Sequence, residues 1–154
     1  MPDMTAHPDQ EKRDEGMPAA PTQARRFGKA RADRSTALSE DYVELIDDLQ
    51  MLEGEARAVD IARRLGVAHA TVVKTLARLK RERLVTAKPY RGVSLTAEGK
   101  TMADMARTRH RLVVDLLKAV GVPAEAAEAD AEGIEHHTSD VTLAAIARFL
   151  RTKA

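Results

Sequence analysis

The densest group of metal-ligating side chain types lies near the carboxyl end, in the segment 130–137 with the sequence DAEGIEHH. Glu132, Glu135 and His136 follow one another at positions i, i+3 and i+4, which share one face of a helix. Carboxylate oxygens and imidazole nitrogens without sulfur suit a hard or borderline divalent cation such as Mn²⁺. The segment is therefore a candidate metal-binding segment.

Three further candidate ligands lie upstream of that segment. Asp41 and Glu44 are spaced i, i+3 on a predicted helix, and His110 lies alone in a predicted long helix. All of these candidates also have a purely structural explanation. Asp41 and Glu44 could be the acidic start of a helix, and His110 a hydrogen-bonded helix residue. Glu132 and Glu135 could lie on a solvated helix face. As a set, carboxylates that converge repel one another unless a cation lies among them.

The middle of the chain predicts the elements of a winged helix-turn-helix. Two helical segments, Ala58–Leu65 and Ala70–Arg83, are separated by Gly66, which permits a sharp turn. Two β-like segments follow, Leu84–Ala87 and Gly92–Thr96, and form a hairpin. A helix pair followed by such a wing is typical of proteins that place the second helix in the major groove of DNA.

Charge is segregated along the chain although its net value is only +1. Residues 57–100 contain 11 basic and 3 acidic residues, whereas residues 38–56 contain 7 acidic and no basic residues. A positive block at a winged helix favours DNA binding over the alternative that the helix pair is only an amphipathic core. The candidate DNA contacts are Thr71, Lys74, Thr75 and Arg78 on the second helix and Lys88, Tyr90 and Arg91 at the wing.

The remaining composition limits the class of protein. The chain has no cysteine, which excludes disulfides and thiolate metal sites, and no apolar run of membrane-spanning length. We predict a mainly α fold: a disordered arm over 1–37 that gains order from about Ala24 onward, a winged helix-turn-helix over 38–99 that starts with Ser39 as a helix cap, and an all-helical metal-binding and dimerisation domain over 100–154. The apolar face predicted to form the dimer core comprises Leu116, Leu117, Val120, Ile134, Leu143, Ile146, Phe149 and Leu150.

Several of these motifs together resemble the diphtheria-toxin-repressor family, in its manganese-transport-regulator branch. They are Asp41-Tyr-Val-Glu44, the wing segment 91–99 (RGVSLTAEG), His110, and the segment 132–137 (EGIEHH). The resemblance covers about residues 38–154. It implies metal ligands at Asp41, Glu44, His110, Glu132, Glu135 and His136, which would hold one or two ions between the two domains.

The resemblance also implies a metal preference. Iron-responsive relatives carry a thioether where Asp41 stands and a thiol where Glu132 stands, so the two carboxylates favour manganese over iron. His137 adjoins the ligands without being one of them in the family pattern. The first residues of the recognition helix, His69-Ala70-Thr71, depart from the pattern, which leaves the operator sequence open.

The expected function is that of a cytoplasmic, homodimeric repressor of manganese uptake genes, which binds a palindromic double-stranded operator when Mn²⁺ is bound. Two alternatives within DNA-binding regulators remain, namely a sensor of another metal such as iron and a sensor of an organic ligand. An enzyme is not expected, because the chain contains no HExxH motif, nucleophile elbow or phosphate-binding glycine loop.

Overall fold

The computed structural model describes residues 16–154, which form a mainly helical fold with one two-stranded sheet. In chain order, the elements are α1 Ala20–Glu53, α2 Ala58–Leu65, α3 His69–Arg81, β1 Val85–Ala87, β2 Val93–Leu95, α4 Ala97–Ala119, α5 Ala124–Ile134, a 3-10 helix Glu135–His137 and α6 Asp140–Arg151. This order confirms the predicted fold class, a winged helix-turn-helix followed by a helical region. In the described range, no helix is long and apolar enough to cross a membrane.

Helix α1 begins well before the predicted first ordered residue. The arm predicted over 1–37, with order only from about Ala24 onward, is a regular helix from Ala20, so the expectation of a disordered arm is wrong from that residue. Ser39 is buried within α1 instead of capping it. The segment is rich in Ala and Arg, which have high helix propensity, and Pro21 lies in the first turn, where a missing N–H costs little. Residues 1–15 lie outside the described range.

The amino-terminal part of α1 also contacts the other end of the chain. Lys29 Nζ donates to the backbone oxygen of His137 at 3.3 Å, and Asp33 Oδ2 lies 3.7 Å from the Nδ1 atom of the same histidine. Lys29 and Asp33 form an ion pair across one helical turn. These contacts tie the added turns of α1 to the 3-10 helix.

Helices α2 and α3 form the helix pair that the sequence predicts. Gly66 ends α2 with a φ of +68°, a left-handed conformation that favours glycine. Ile61 on α2 and Val72 and Leu79 on α3 are fully buried in a core that also includes Ile46 of α1. This core fixes α3 against α1 and leaves the opposite side of α3 exposed.

The wing is a short hairpin that is anchored to the start of the helix pair. Strands β1 and β2 are antiparallel, with Val85 opposite Leu95, and Val93 N donates to the backbone oxygen of Ala56 at 2.9 Å. Gly92 has a φ of +65°, and a Cβ atom there would lie 2.4 Å from the same Ala56 oxygen. Only glycine therefore fits at the point where the wing returns to the core.

Helix α4 connects the two regions of the fold. Thr96 caps it by accepting a hydrogen bond from Gly99 N at 3.0 Å. Ala103 on α4 belongs to the core of the winged helix, whereas Val113 and Val114, farther along, belong to a second core with α5. One continuous helix thus carries side chains of both cores, and it also packs along α1.

Candidate metal centre and DNA-binding surface

The predicted ligands meet where α1, α4, α5 and the 3-10 helix converge. Asp41, Glu132 and His136 offer one ligand atom each, and these atoms lie within 4.8 Å of one another. His110, Glu132 and Glu135 form a second group with the same property. Glu132 belongs to both groups, so five of the six predicted ligands lie in one continuous cluster.

His110 is bound on both sides of its ring by carboxylates. Its Nδ1 atom lies 2.6 Å from Glu135 Oε2 and 3.6 Å from Glu132 Oε1, and its Nε2 atom lies 2.8 Å from Glu128 Oε2. Burial lowers the pKa of His110, but the hydrogen bond to Glu128 and the charge of Glu135 outweigh it, so the pKa is raised. The ring is therefore held among oxygen atoms that can share a cation with it.

His136 is held in the same way on the other side of the cluster. Its Nδ1 atom lies 2.5 Å from Glu40 Oε2, while Nε2 lies 3.2 Å from Asp41 Oδ1 and 3.4 Å from Glu135 Oε1. Hydrogen bonds to Asp41 and Glu40 raise the pKa of His136 to about 10. At neutral pH the ring is thus cationic without a metal ion, and ligation through Nε2 requires the release of one proton.

Glu44, the sixth predicted ligand, borders this cluster. Burial and the negative charges of Glu135 and Glu132 raise the pKa of its carboxyl group to about 7. Burial also raises the pKa of Glu135, which is fully enclosed, although His110 and His136 oppose that effect. Carboxylates that converge in this way are the donor set expected around a hard divalent cation, so the residues present fit such an ion.

Three residues at or near the cluster, Glu128, Glu40 and Arg109, are absent from the sequence-based site, and Glu128 lies 2.8 Å from the Nε2 atom of His110. Glu40 is 4% exposed and binds both His136 and Arg109, while Arg109 Nε has no hydrogen-bond partner among residues 16–154. In sequence, Glu40 resembles a first-turn acid beside Asp41. The only sequence signal for a role near the metal site is adjacency. Glu40 directly precedes the candidate ligand Asp41, and Arg109 directly precedes the candidate ligand His110.

The exposed face of α3 carries some of the predicted DNA contacts. Thr71 and Lys74 are exposed, as a recognition helix requires. Thr75 is only 8% exposed, so its predicted position toward solvent is wrong. It lies three residues after Val72 and four before Leu79. Residues at these spacings share one face of a helix, so Thr75 lies on the face of α3 that packs against the core.

Arg78 lies at the edge of this surface, where α3 approaches α1. Its Nη2 atom donates to Ser39 Oγ at 3.4 Å, and its Nη1 atom lies 3.6 Å from the carboxylate of Glu82. Ser39 adjoins Glu40, the partner of His136. Arg78 is therefore half-buried and links the recognition helix to the segment of α1 that carries candidate ligands.

The wing tip presents the remaining predicted contacts to solvent. Lys88, Tyr90 and Arg91 are exposed, and Tyr90 projects fully from the hairpin with a φ of +62°. A cavity of about 450 Å³ beside the wing is lined by Lys88 and Arg91 together with Glu53 at the end of α1. The basic side chains are thus free to approach phosphates.

Two family models match the chain in adjacent segments. Residues 35–93 match the N-terminal DNA-binding domain of iron-dependent repressors, and residues 96–153 match their metal-binding and dimerisation domain. The chain belongs to the iron-dependent repressor family. Members of this family are transcriptional regulators, which confirms the expectation of a regulator and not an enzyme.

Curated relatives of this family share much of the sequence. The transcriptional regulator MntR of Escherichia coli O6:H1 is 49% identical over 123 residues, which cover 80% of this chain and 79% of the relative. The HTH-type transcriptional regulator MntR of Bacillus subtilis (strain 168) is 38% identical over 105 residues, covering 68% and 74% of the two chains. These matches confirm the predicted resemblance to the manganese-regulator branch.

Solved structures of metal-dependent regulators share the fold. The manganese regulator SloR is 29% identical and superimposes with a TM-score of 0.65 over 73% of this chain and 53% of its own. A manganese-dependent transcriptional repressor in complex with manganese is 28% identical, with a TM-score of 0.64 over 73% and 52%. The chain thus spans about half the length of these two solved regulators.

Proposed function

We propose that this protein is a manganese-responsive transcriptional repressor, which binds operator DNA in the cytoplasm as a homodimer when Mn²⁺ occupies the carboxylate–histidine cluster. The observation that carries the proposal is the convergence of Asp41 from α1, His110 from α4 and Glu132 from α5 in one cluster. Ligands from both regions of the fold allow metal binding to control how the regions are held together. The two solved structures named as manganese regulators support the choice of ion.

The donor atoms support manganese over iron. Asp41 and Glu132 provide carboxylate oxygens at the two positions where, by the family resemblance, iron-responsive relatives carry sulfur ligands. The two groups that share Glu132 have room for one or two ions per subunit. When bound, Mn²⁺ supplies positive charge that offsets the mutual repulsion of the carboxylates.

The mechanism that we propose is a shift between loosely and firmly held arrangements of the two regions. Without a metal ion, the carboxylates of Asp41 and Glu44 on α1 and those of Glu132 and Glu135 repel one another, and the rings of His110 and His136 offset their charges only in part. This repulsion weakens the packing of α1 against the helical region. With the ligands drawn together, α1 holds the winged helix in one orientation. In a dimer, this orientation sets the spacing of two recognition helices for a palindromic operator.

The homodimer has support in the helical region. Within the predicted dimer face, Val120, Ile134 and Phe149 are exposed, at 63%, 44% and 39%. Leu117 and Leu143 instead pack against the second core of the same chain. Exposed apolar side chains beside that core are available to a second copy of the chain.

The decisive experiment removes the carboxylates of α5 and the 3-10 helix. The double substitution Glu132→Ala with Glu135→Ala should abolish the Mn²⁺ dependence of operator binding in a fluorescence anisotropy assay, because both ligand groups lose members. Glu125→Ala, an exposed glutamate of the same helix, is the matched control and should respond normally. Full Mn²⁺ dependence in the folded double variant would refute the proposed site.

A further inference from the structure

We propose that Glu40 and Arg109 act as a positioning pair for the metal centre, which fixes the imidazole ring of His136 so that its Nε2 atom faces the other ligands. This inference rests on the proposed function, because it concerns how the same cluster is built. Neither residue belongs to the two ligand groups. Their role would be to orient a ligand, not to bind the ion.

The geometry at His136 carries the first step. Its Nδ1–H donates to Glu40 Oε2 at 2.5 Å, and both side chains are almost completely buried. A ring held at Nδ1 has only Nε2 left for ligation, and Nε2 is the atom that lies 3.2 Å from Asp41 and 3.4 Å from Glu135. Histidine ligands in metal sites are oriented by such a bond from their second nitrogen.

Arg109 carries the second step, because it holds Glu40 in place. Its Nη2 atom donates to Glu40 Oε1, whereas His136 uses Oε2, so both carboxylate oxygens are occupied. Burial raises the pKa of Glu40, but the hydrogen bonds from His136 and Arg109 lower it by more, so the net shift of the pKa is downward. A carboxylate engaged on both sides is a support for the ligand and not a free ligand.

The position of the pair in the fold explains what it would achieve. Glu40 adjoins the candidate ligand Asp41 on α1, and Arg109 adjoins the candidate ligand His110 on α4. The contact between them therefore joins α1, α4 and the 3-10 helix at the level of the metal cluster. A buried ion pair is often neutral for stability, so the contribution that we expect from this pair is to the position of the His136 ring.

The test begins with Glu40→Gln, which keeps the shape of the side chain. An amide has one oxygen acceptor and one NH₂ donor, so it cannot accept from both His136 and Arg109. Isothermal titration of the metal-free full chain with MnCl₂ should show a loss of Mn²⁺ affinity of about 10- to 100-fold, the range typical for loss of a residue that orients a ligand.

Asp47→Asn is the matched control. Asp47 is also a buried carboxylate of α1, and it is bound by two cations of α4, Lys100 and Arg107. Among the described residues it forms no hydrogen bond or ion pair with the six candidate ligand side chains. We expect this variant to lose thermal stability while it retains Mn²⁺ affinity to within about threefold. An equal loss of affinity in both variants would reduce Glu40 to a general packing role and overturn the inference.

A double-mutant cycle with His136→Ala isolates the coupling. In that background, the group of His110, Glu132 and Glu135 remains, and Glu40→Gln should cost no further Mn²⁺ affinity. A loss as large as in the wild-type background would mean that Glu40 acts independently of His136, contrary to the proposal. Unchanged affinity of the single Glu40→Gln variant would also refute it, whereas failure of the wild-type chain to bind Mn²⁺ would refute the proposed function as well.

A second measurement does not depend on bound metal. In proton NMR spectra of the metal-free chain, the hydrogen-bonded Nδ1–H of His136 should give a strongly downfield resonance, assigned by its absence in His136→Ala. The resonance should persist in Asp47→Asn and shift upfield or disappear in Glu40→Gln. Its persistence at the same position in Glu40→Gln would show that Glu40 does not hold the ring.

Discussion

At the scale of single residues, Glu44 is the candidate ligand whose surroundings oppose its charge most strongly. Burial and the neighbouring carboxylates of Glu135 and Glu132 raise its pKa to about 7, and Arg107 offsets only part of this effect. Above neutral pH, the metal-free protein therefore holds an anion where an anion is unfavourable. A site of this kind is unfavourable alone and becomes favourable around a cation, which makes it responsive to metal.

The substitution Glu44→Gln tests this property through stability. At pH 8 the variant should raise the Tm of the metal-free protein by about 2–4 °C, the shift that about 1 kcal/mol gives in a protein of this size, because a neutral amide replaces an unfavourable carboxylate. A raised folded-state pKa gives stability that is present below the unfolded value and is lost as pH rises toward 7, so the difference should become small near pH 5.

Calorimetry in EDTA measures the stability of the metal-free protein, and calorimetry in MnCl₂ then measures how much Mn²⁺ adds to it. Mn²⁺ should raise the Tm of Glu44→Gln by less than it raises that of the wild type, because one ligand has been weakened. Glu125→Gln, on the exposed side of α5, should change neither value. A metal-free variant that is less stable than the wild type, with an undiminished response to Mn²⁺, would contradict the placement of Glu44 in the cluster.

The candidate ligands were predictable from sequence, but their supporting partners were not. Helical spacing relates Glu132, Glu135 and His136 because it follows from local geometry. The contacts of Glu40 with His136 and Arg109 span 96 and 69 residues, and no local pattern encodes a contact between such distant positions. A pattern of residue types shows which side chains can bind a cation, whereas packing decides which ones hold them.

At the scale of elements, the exposed face of α3 and the wing together are the proposed DNA-binding surface. Thr71 and Lys74 project from α3, and Lys88 and Arg91 lie at the wing tip. Arg78 is partly engaged with Ser39, so its contribution to phosphate binding should be smaller than that of Lys74. Electrostatic contacts of this kind release counterions and make binding dependent on salt.

The substitution Lys74→Ala should weaken operator binding and reduce the salt dependence of that binding. If Lys74 contacts one phosphate, the slope of log K against log salt concentration should fall by about 1. Lys118→Ala, an exposed lysine near the end of α4, is a control of equal charge and should leave the slope unchanged. A slope that is the same in Lys74→Ala and in the wild type would remove Lys74 from the interface.

The boundaries of the elements were predictable where a local signal exists. Gly66 and Gly54 end helices, and the Thr96 cap begins one, because each sets a specific backbone conformation or hydrogen bond. The start of α1 had no such signal. Prolines and charges upstream suggested disorder, whereas the helix continues back to Ala20 on Ala and Arg residues and contacts His137, a partner remote in sequence.

At the scale of the whole molecule, ion pairs between α1 and α4 join the winged helix to the helical region. Asp47 accepts from Lys100 at 2.8 Å and from Arg107 at 2.5 Å, and Asp48 accepts from the same arginine at 2.6 Å. Together with the Glu40–Arg109 contact, these bonds link α1 to α4 at several points along the two helices. They hold the two regions together without a metal ion, so metal binding adjusts an existing interface.

This interface should weaken in acid, and Asp47 allows its contribution to be measured. Burial raises the pKa of Asp47, but the hydrogen bonds from Lys100 and Arg107 lower it more, so the folded-state pKa lies below the ordinary value of 3.8. A depressed carboxyl pKa gives stability that is present above the unfolded value and is lost as pH falls through the folded value. Urea unfolding of the metal-free protein should therefore show that Asp47→Asn costs about 1.5–3 kcal/mol at pH 7, the range for hydrogen bonds to a charged group.

The difference in the free energy of unfolding between the wild type and Asp47→Asn should become smaller as the pH is lowered below about 4, because the wild-type carboxyl group also loses its charge there. Asp48→Asn is the control, since Asp48 pairs with the same arginine but is 55% exposed, and exposed ion pairs contribute at most about 1 kcal/mol. A gap for Asp47→Asn that stays constant from pH 7 to pH 3 would mean that its effect comes from shape and not from charge. In that case the two regions would be held by apolar packing of α1 on α4, and the ion pairs would not set how firmly the metal-free regions are joined.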